Sequence, residues 1–231
     1  MFNWTQESIA YMDDACRRTD FHRRLTAELT PYLKPADRVC DAGCGLGYLS
    51  LSLAGCVGSV TAVERDPRAL AVLEREVSRR DIRSVTAVCG DMLAYRPEEP
   101  FDAMVFCFFG SMEEIVATAR TCCDGTVLAV VRNDACHRFS GKSREPGRHS
   151  FASACRSLTE KGIDFTAKTM SLDFHQPFRS LEAARRFFAL YGGCEDWRER
   201  LRETGDGEFP WELPSRRDLG LIVFRTEDIG K

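Results

Sequence analysis

The sequence has no long apolar run, because none of its hydrophobic stretches reaches the roughly 18 residues that a membrane-spanning helix needs. Its first residues, 1–7, have neither the basic start nor the apolar centre of a secretory signal peptide. We therefore expect a cytoplasmic protein with no membrane partner.

The sequence also has little excess charge of either sign. It contains 32 Lys and Arg against 35 Asp and Glu, which gives a formal net charge of −3. A dedicated nucleic-acid-binding protein is usually basic. On this ground we expect no nucleic-acid partner.

Cysteine is plentiful, with 11 residues, but the spacing of a metal site is missing. There is no Cys-x-x-Cys pair and no zinc-type arrangement of Cys and His. We therefore predict reduced cysteines that pack as small hydrophobic residues, and no metal. The adjacent pair Cys122 and Cys123 leaves binding of a soft metal or metalloid open as an alternative.

Hydrophobic periodicity predicts one domain, residues 1–231, in which strands and helices alternate. The predicted strands are 37–42, 58–64, 84–89, 101–108, 126–132, 165–174 and 219–225. The predicted helices are 5–30, 48–54, 67–80, 112–121, 150–161, 180–191 and 196–203. This order is typical of an α/β fold with a doubly wound, mostly parallel sheet of seven strands, an N-terminal helix and an insert before the last strand.

A glycine-rich turn, Gly43-Cys44-Gly45-Leu46-Gly47, follows the first predicted strand. A dinucleotide-binding loop has the spacing G-x-G-x-x-G, whereas this one is G-x-G-x-G and is preceded by Asp41. The segment resembles motif I of the class I S-adenosylmethionine (SAM) dependent methyltransferases, in which the loop passes under the methionine part of the cofactor. The alternative is a strand-to-helix turn in another kind of α/β protein.

The order of elements resembles this family along nearly the whole chain, and two acids at the ends of the next strands extend the resemblance. Glu64 ends the second strand, 23 positions after Asp41, and in this family such an acid holds the ribose hydroxyls. Asp91 follows the third strand, where the resemblance implies a contact with the adenine amino group and, from the backbone of Met92, with the ring. The resemblance thus implies SAM as cofactor, with eight binding residues: Asp41, Gly43, Cys44, Gly45, Glu64, Asp91, Met92 and Phe106.

The segment after the fourth strand, Phe106-Cys-Phe-Phe-Gly-Ser111, lacks the Asn-Pro-Pro-Tyr type of sequence found in methyltransferases that act on base or glutamine amino groups. We therefore predict methyl transfer to a small-molecule acceptor. Three alternatives stay open: a protein or RNA methyltransferase, a thiol-dependent enzyme for a metalloid, and a non-catalytic SAM-binding protein.

Candidate acceptor-site residues lie in three segments. In the N-terminal helical cap, 1–36, Trp4 is a candidate substrate contact and Tyr11 a candidate catalytic residue; both are also plausible core aromatics. After the fifth strand, Arg132 and Arg138 are candidates to bind an anionic group on the acceptor, because they lie in a basic loop. The alternative is that this loop is a solvated segment without a binding role. His137 is the first candidate general base and His175 the second. The aromatic-rich insert, 176–216, is predicted to form either a substrate lid or a dimer contact. The protein is accordingly expected to be a monomer or a homodimer.

Overall fold

The computed structural model describes residues 3–134, 139, 150–193 and 195–230. The helices are α1 (Gln6–Arg18), α2 (Phe21–Leu29), α3 (Tyr48–Leu53), α4 (Pro67–Arg79), α5 (Met112–Cys122), α6 (Phe151–Glu160) and α7 (Leu181–Leu190). The strands are β1 (Arg38–Ala42), β2 (Ser59–Glu64), β3 (Val85–Cys89), β4 (Phe101–Cys107), β5 (Cys123–Arg132), β6 (Phe165–Asp173), β7 (Gln176–Phe178), β8 (Arg202–Glu203), β9 (Trp211–Leu213) and β10 (Arg216–Arg225).

Seven of these strands form one sheet in the order β3-β2-β1-β4-β5-β10-β6, which confirms the predicted fold. The first five strands of the chain are mutually parallel, whereas β10 runs antiparallel to both of its neighbours. The carboxyl ends of β1 to β5 therefore lie at one edge of the sheet. Because β10 is reversed, its first residues lie at that same edge.

Apolar residues cover both faces of the sheet, as the continuous hydrophobic strands predict. Successive strand residues point to opposite faces: Val105 and Val130 pack with the helices α1 to α4, whereas Met104 and Ala129 pack with α5 and α6. The longest helices in the described ranges, α1 and α4, have 13 residues each. No helix in that part of the chain is both long and apolar enough to cross a membrane.

The single helix predicted for residues 5–30 is wrong, because the chain forms two helices there. Thr5 caps α1 through a reciprocal capping box with Ser8. Thr19 ends it in an extended conformation, with φ −110° and ψ 155°, and its hydroxyl donates to the Ala15 carbonyl at 2.9 Å. A threonine side chain that satisfies the backbone in this way competes with helix continuation.

The segment between β6 and β10 contains α7 and a small sheet with the order β7-β9-β8. The predicted helix at 196–203 is wrong: β8 lies at its end and pairs antiparallel with β9. Gly205, at φ +74°, makes the connecting turn, and the Thr204 amide donates to the Pro210 carbonyl at 3.1 Å. A hydrophobic cluster then joins this insert to α1, with Tyr11, Phe178, Ala184, Phe187, Phe188 and Leu213 as its buried members.

Candidate functional site

The glycine-rich loop between β1 and α3 has a backbone that requires glycine. Gly43, Gly45 and Gly47 have φ angles of 70°, 56° and 74°, a left-handed region that other residues rarely adopt. The amides of Gly43 and Cys44 both donate to the Val63 carbonyl of β2, at 2.9 and 3.0 Å. The loop is therefore a fixed turn that rests on the neighbouring strand.

Aromatic side chains lie directly against this loop. A Cβ added to Gly43 would come within 2.6 Å of the Phe109 ring, and one added to Gly45 within 3.0 Å of the Trp4 ring. Trp4, predicted to contact the acceptor, thus lies beside the loop predicted to bind the cofactor. Phe109 was not singled out from the sequence, although its place two residues after β4, at the carboxyl edge, was a usable signal.

Glu64 connects the end of β2 to the glycine-rich loop. Its side chain is largely buried, at 9% exposure. One carboxylate oxygen accepts the Gly45 amide at 3.0 Å, and the other accepts the Asp66 amide at 2.9 Å. Each carboxylate oxygen has a second lone pair, so both can still accept a hydroxyl of a bound ligand.

Asp41 lies beneath the loop. It is 1% exposed and accepts the Ser50 hydroxyl of α3 at 2.6 Å. Burial raises the pKa of Asp41 to about 6, and the negative charge of Glu64 adds to this effect, whereas the Ser50 hydrogen bond opposes it. The geometry gives Asp41 the role of joining β1 to α3 behind the loop, and a direct ligand contact stays a prediction.

The remaining predicted cofactor residues differ in accessibility. Asp91 is exposed at the end of β3, and one of its oxygens accepts the Leu93 amide at 3.0 Å in a turn. Met92 and Phe106 are buried in the core on the α5 and α6 face. At 3% and 0% exposure, these two residues offer a ligand almost no accessible surface, and their cofactor contacts stay predictions. Cys44 is partly exposed within the loop itself.

Tyr11, the candidate catalytic residue, lies in the contact between the cap and the insert. Its hydroxyl donates to the Ala183 carbonyl at 2.8 Å, and its ring packs edge-on against Phe187 at 5.1 Å between centroids. Burial raises the pKa of Tyr11, and the nearby charge of Glu7 adds to this effect. These contacts favour a structural role over proton transfer.

The candidates on the basic side of the site are placed as follows. Arg132 is exposed at the end of β5, with its guanidinium carbon 5.8 Å from the centre of the Phe108 ring. His137 and Arg138 lie outside the described residues. His175 accepts the Ser215 amide at 3.0 Å through Nδ1, so it fixes the start of the insert.

Sequence reasoning missed two further residues at the carboxyl edge, Phe108 and Arg217. Phe108 follows β4 with φ 57°, a conformation that costs a non-glycine residue about 1–3 kcal/mol and is often retained at functional sites. The Arg217 guanidinium carbon lies 4.9 Å from the centre of its ring. The signal for Arg217 was topological, since an antiparallel last strand begins at the edge where the parallel strands end.

The thiols near the site are poorly suited to the metalloid alternative. Burial raises the pKa of Cys107 to about 12 and raises the pKa of Cys44 as well. The thiolate is the form that acts as nucleophile or metal ligand. Both residues therefore stay protonated near neutral pH. Cys122 and Cys123 are buried, and burial raises the pKa of each.

Comparisons with known proteins agree with this geometry. Residues 39–132 match the family described as "Methyltransferase domain". The YcgJ protein from Bacillus subtilis superposes with a TM-score of 0.54 at 12% identity, covering 88% of this chain and 98% of that one. A putative methyltransferase from Bacillus halodurans superposes with a TM-score of 0.55 at 14% identity, over 88% and 98% of the two chains.

Curated relatives match over shorter segments. A protein-L-isoaspartate O-methyltransferase from Methanospirillum hungatei is 30% identical over 84 residues, which are 35% of this chain and 39% of the relative. A probable ribosomal RNA small subunit methyltransferase A from Methanothermobacter thermautotrophicus is 39% identical over 61 residues, or 26% and 21%. The match thus spans less than half the length of these relatives.

These relatives overturn the prediction about the acceptor. A small-molecule acceptor, with nucleic acid excluded, was predicted from net charge and from the sequence after β4, yet the relatives are named for protein and ribosomal RNA. Net charge sums over the whole surface and does not describe the site. On a shared fold, the acceptor is selected by loops that vary independently of the scaffold.

Proposed function

We propose that this chain, whose residues 39–132 match the family described as "Methyltransferase domain", is a class I SAM-dependent methyltransferase. It would bind SAM at the carboxyl edge of its sheet and methylate an acceptor beside the loop after β4. Members of this family generally use SAM as methyl donor. The observation that carries the proposal is the Glu64 carboxylate, which is held by the Gly45 amide at 3.0 Å directly beside the glycine-rich loop.

The residues present fit the cofactor. Glu64 would accept the ribose hydroxyls with the lone pairs that its backbone contacts leave free. The left-handed glycines, 43 and 45, turn the loop tightly at the carboxyl edge, and the methionine part would pass over it beside the Phe109 and Trp4 rings. Asp91, exposed at the end of β3, would meet the adenine. When bound, the cofactor supplies an electrophilic sulfonium methyl group.

The protein's part in the reaction is to orient the acceptor and exclude water. Trp4 and Phe109 lie against the loop and would cover the methyl side of the cofactor. The cap, 1–36, and the insert, 176–216, would form the outer wall as parts of one domain, 1–231. Their mutual contact supports this arrangement, because Gln176 donates to the Tyr11 carbonyl at 2.9 Å.

Calorimetric titration with S-adenosylhomocysteine, the demethylated cofactor, tests the proposed function. We expect the wild-type chain to bind, and Gly43→Ala to weaken binding at least tenfold, because its Cβ meets Phe109 at a left-handed φ. Gly55→Ala is the matched control, since nothing lies within 4 Å of its added Cβ, and we expect its affinity to stay within twofold. Absence of heat from the wild type at millimolar ligand would refute the proposal.

The acceptor class is tested with the same preparation. Methyl transfer from labelled SAM is measured to a peptide that contains L-isoaspartate and to ribosomal RNA, the substrates for which the matched relatives are named. Label in one of them identifies the class. Label in neither, from a chain that binds S-adenosylhomocysteine, would show that this chain does not methylate the acceptors for which those relatives are named.

A further inference from the structure

Arg217 is a charged side chain whose Nε atom is buried without a hydrogen-bond acceptor in the described part of the chain. Its guanidinium carbon lies 4.6 Å from the centre of the Phe174 ring, 4.9 Å from Phe108 and 5.6 Å from Phe21. Among the described residues no carboxylate lies within ion-pair distance of it. A buried polar group without a partner is rare in native proteins and calls for an explanation.

A second unpartnered polar atom lies near this one. Nδ1 of His22, at the start of α2, is also buried without a partner in the described ranges. The His22 ring packs edge-on against Phe174 at 6.1 Å between centroids, so the two groups border the same aromatic ring. Burial lowers the pKa of His22 to about 3, and the positive charge of Arg217 adds to this effect. The imidazole is therefore neutral near pH 7 and can donate one hydrogen bond.

The position of Arg217 in the sheet places its charge beside the acceptor. Arg217 lies two residues before Leu219, the partner of Arg132 at the end of β5. Neighbouring strands lie about 4.8 Å apart, and the guanidinium reaches past the end of β5 to Phe108, which directly follows β4. That loop is the one beside which the proposed function places the acceptor.

We propose that Arg217 binds a carboxylate group of the methyl acceptor, with His22 as a second donor; this inference rests on the proposed function. The planar fork formed by Nε and one terminal nitrogen of arginine matches the two oxygens of a carboxylate. The rings of Phe21, Phe108 and Phe174 around the guanidinium favour a flat carboxylate over a bulkier tetrahedral phosphate. Arg217 would thus select acceptors by charge and orient them toward the cofactor methyl.

An NMR titration of the full wild-type chain, saturated with S-adenosylhomocysteine, tests this. An enclosed Nε–H exchanges slowly with water, and its nitrogen-15 resonance is identified by its loss in Arg217→Lys, or by through-bond assignment if that variant does not fold. We expect sodium acetate to shift this resonance saturably in the millimolar range, and sodium chloride at equal ionic strength to leave it in place. A structural cation held by aromatic rings would not respond in this way.

Arg216→Gln is the matched control. Arg216 precedes Arg217, is exposed, and pairs with Asp173 at 3.2 Å, so its loss should leave the acetate response unchanged. An identical shift with chloride, or no shift, overturns the inference. If inorganic phosphate shifts the resonance saturably and acetate does not, the proposed carboxylate ligand is wrong and the acceptor carries a phosphate group. Calorimetry on the same preparation, before S-adenosylhomocysteine is added, separates the two hypotheses, because failure to bind this ligand refutes the proposed function itself.

Discussion

Replacing Glu76 with glutamine is expected to lower the free energy of unfolding by about 3 kcal/mol at pH 7. The Glu76 side chain in α4 has 0% exposure, and its oxygens lie 2.7 Å from Arg79, 2.8 Å from Arg17 and 2.9 Å from Arg80. The variant would leave these arginines around a neutral group. Because Arg17 belongs to α1, the change also removes an ion pair between the N-terminal cap and α4.

The pH dependence of this effect has a definite sign. Burial alone would raise the pKa of Glu76, but hydrogen bonds from Arg79 and Arg80 and the charge of Arg17 outweigh it and lower the pKa to about 2. A depressed folded-state pKa stabilises the protein above the unfolded pKa, near 4.3, and this stabilisation disappears as the pH falls toward 2. The ionised Glu76 carboxylate therefore contributes at most about 3 kcal/mol to the free energy of unfolding, because solvent screens the partly exposed arginines.

Urea unfolding at pH 7 and at pH 3 measures both parts of this prediction. Glu74→Gln is the matched control on the same helix, because Glu74 is exposed, and it should change stability by less than about 0.5 kcal/mol. The difference between wild type and Glu76→Gln should narrow at pH 3. Equal stabilities at pH 7, or a difference that does not narrow, would show that the arginines contribute little.

The sequence was informative where a signal is local. The strands β1 to β5 are apolar runs bounded by turn residues, and each was predicted to within three residues at either end. Their order implied the carboxyl edge, and with it the positions of Glu64 and Asp91. The short strands of the insert, β8 and β9, have two and three residues. Such segments are too short for periodicity to identify, and their pairing depends on the hairpin turn.

The parts of the site that the sequence did not reveal depend on tertiary contacts. The strand β10 begins with Arg216-Arg217-Asp218. These three charged residues lack the hydrophobic pattern of a strand, so the predicted strand began at residue 219. Nothing local indicates that Arg217 is surrounded by rings from α2, from the segment after β4 and from the residue after β6. In the same way, the resemblance assigned Glu64 to the ribose but gave no reason to expect its bond to the Gly45 amide.

That bond changes what removal of Glu64 should do. Glu64→Ala is expected to weaken binding of S-adenosylhomocysteine by about 2–4 kcal/mol, or roughly 30- to 900-fold, because two charge-assisted hydrogen bonds to the ribose are lost. It should also lower the free energy of unfolding by about 2 kcal/mol, since the amides of Gly45 and Asp66 lose their acceptor. Calorimetry and urea unfolding measure the two effects separately.

A control variant distinguishes loss of affinity from loss of stability. Asp66 caps α4 by accepting the Arg68 amide at 2.9 Å, so Asp66→Ala should cost about 1 kcal/mol of stability and leave the affinity within twofold. If Glu64→Ala likewise loses stability but keeps its affinity, Glu64 only supports the loop and the ribose is held elsewhere. If affinity falls by the expected factor in Glu64→Ala alone, the carboxylate contacts the ligand as well as the Gly45 amide, and the glycine-rich loop and the ribose site are organised by one side chain.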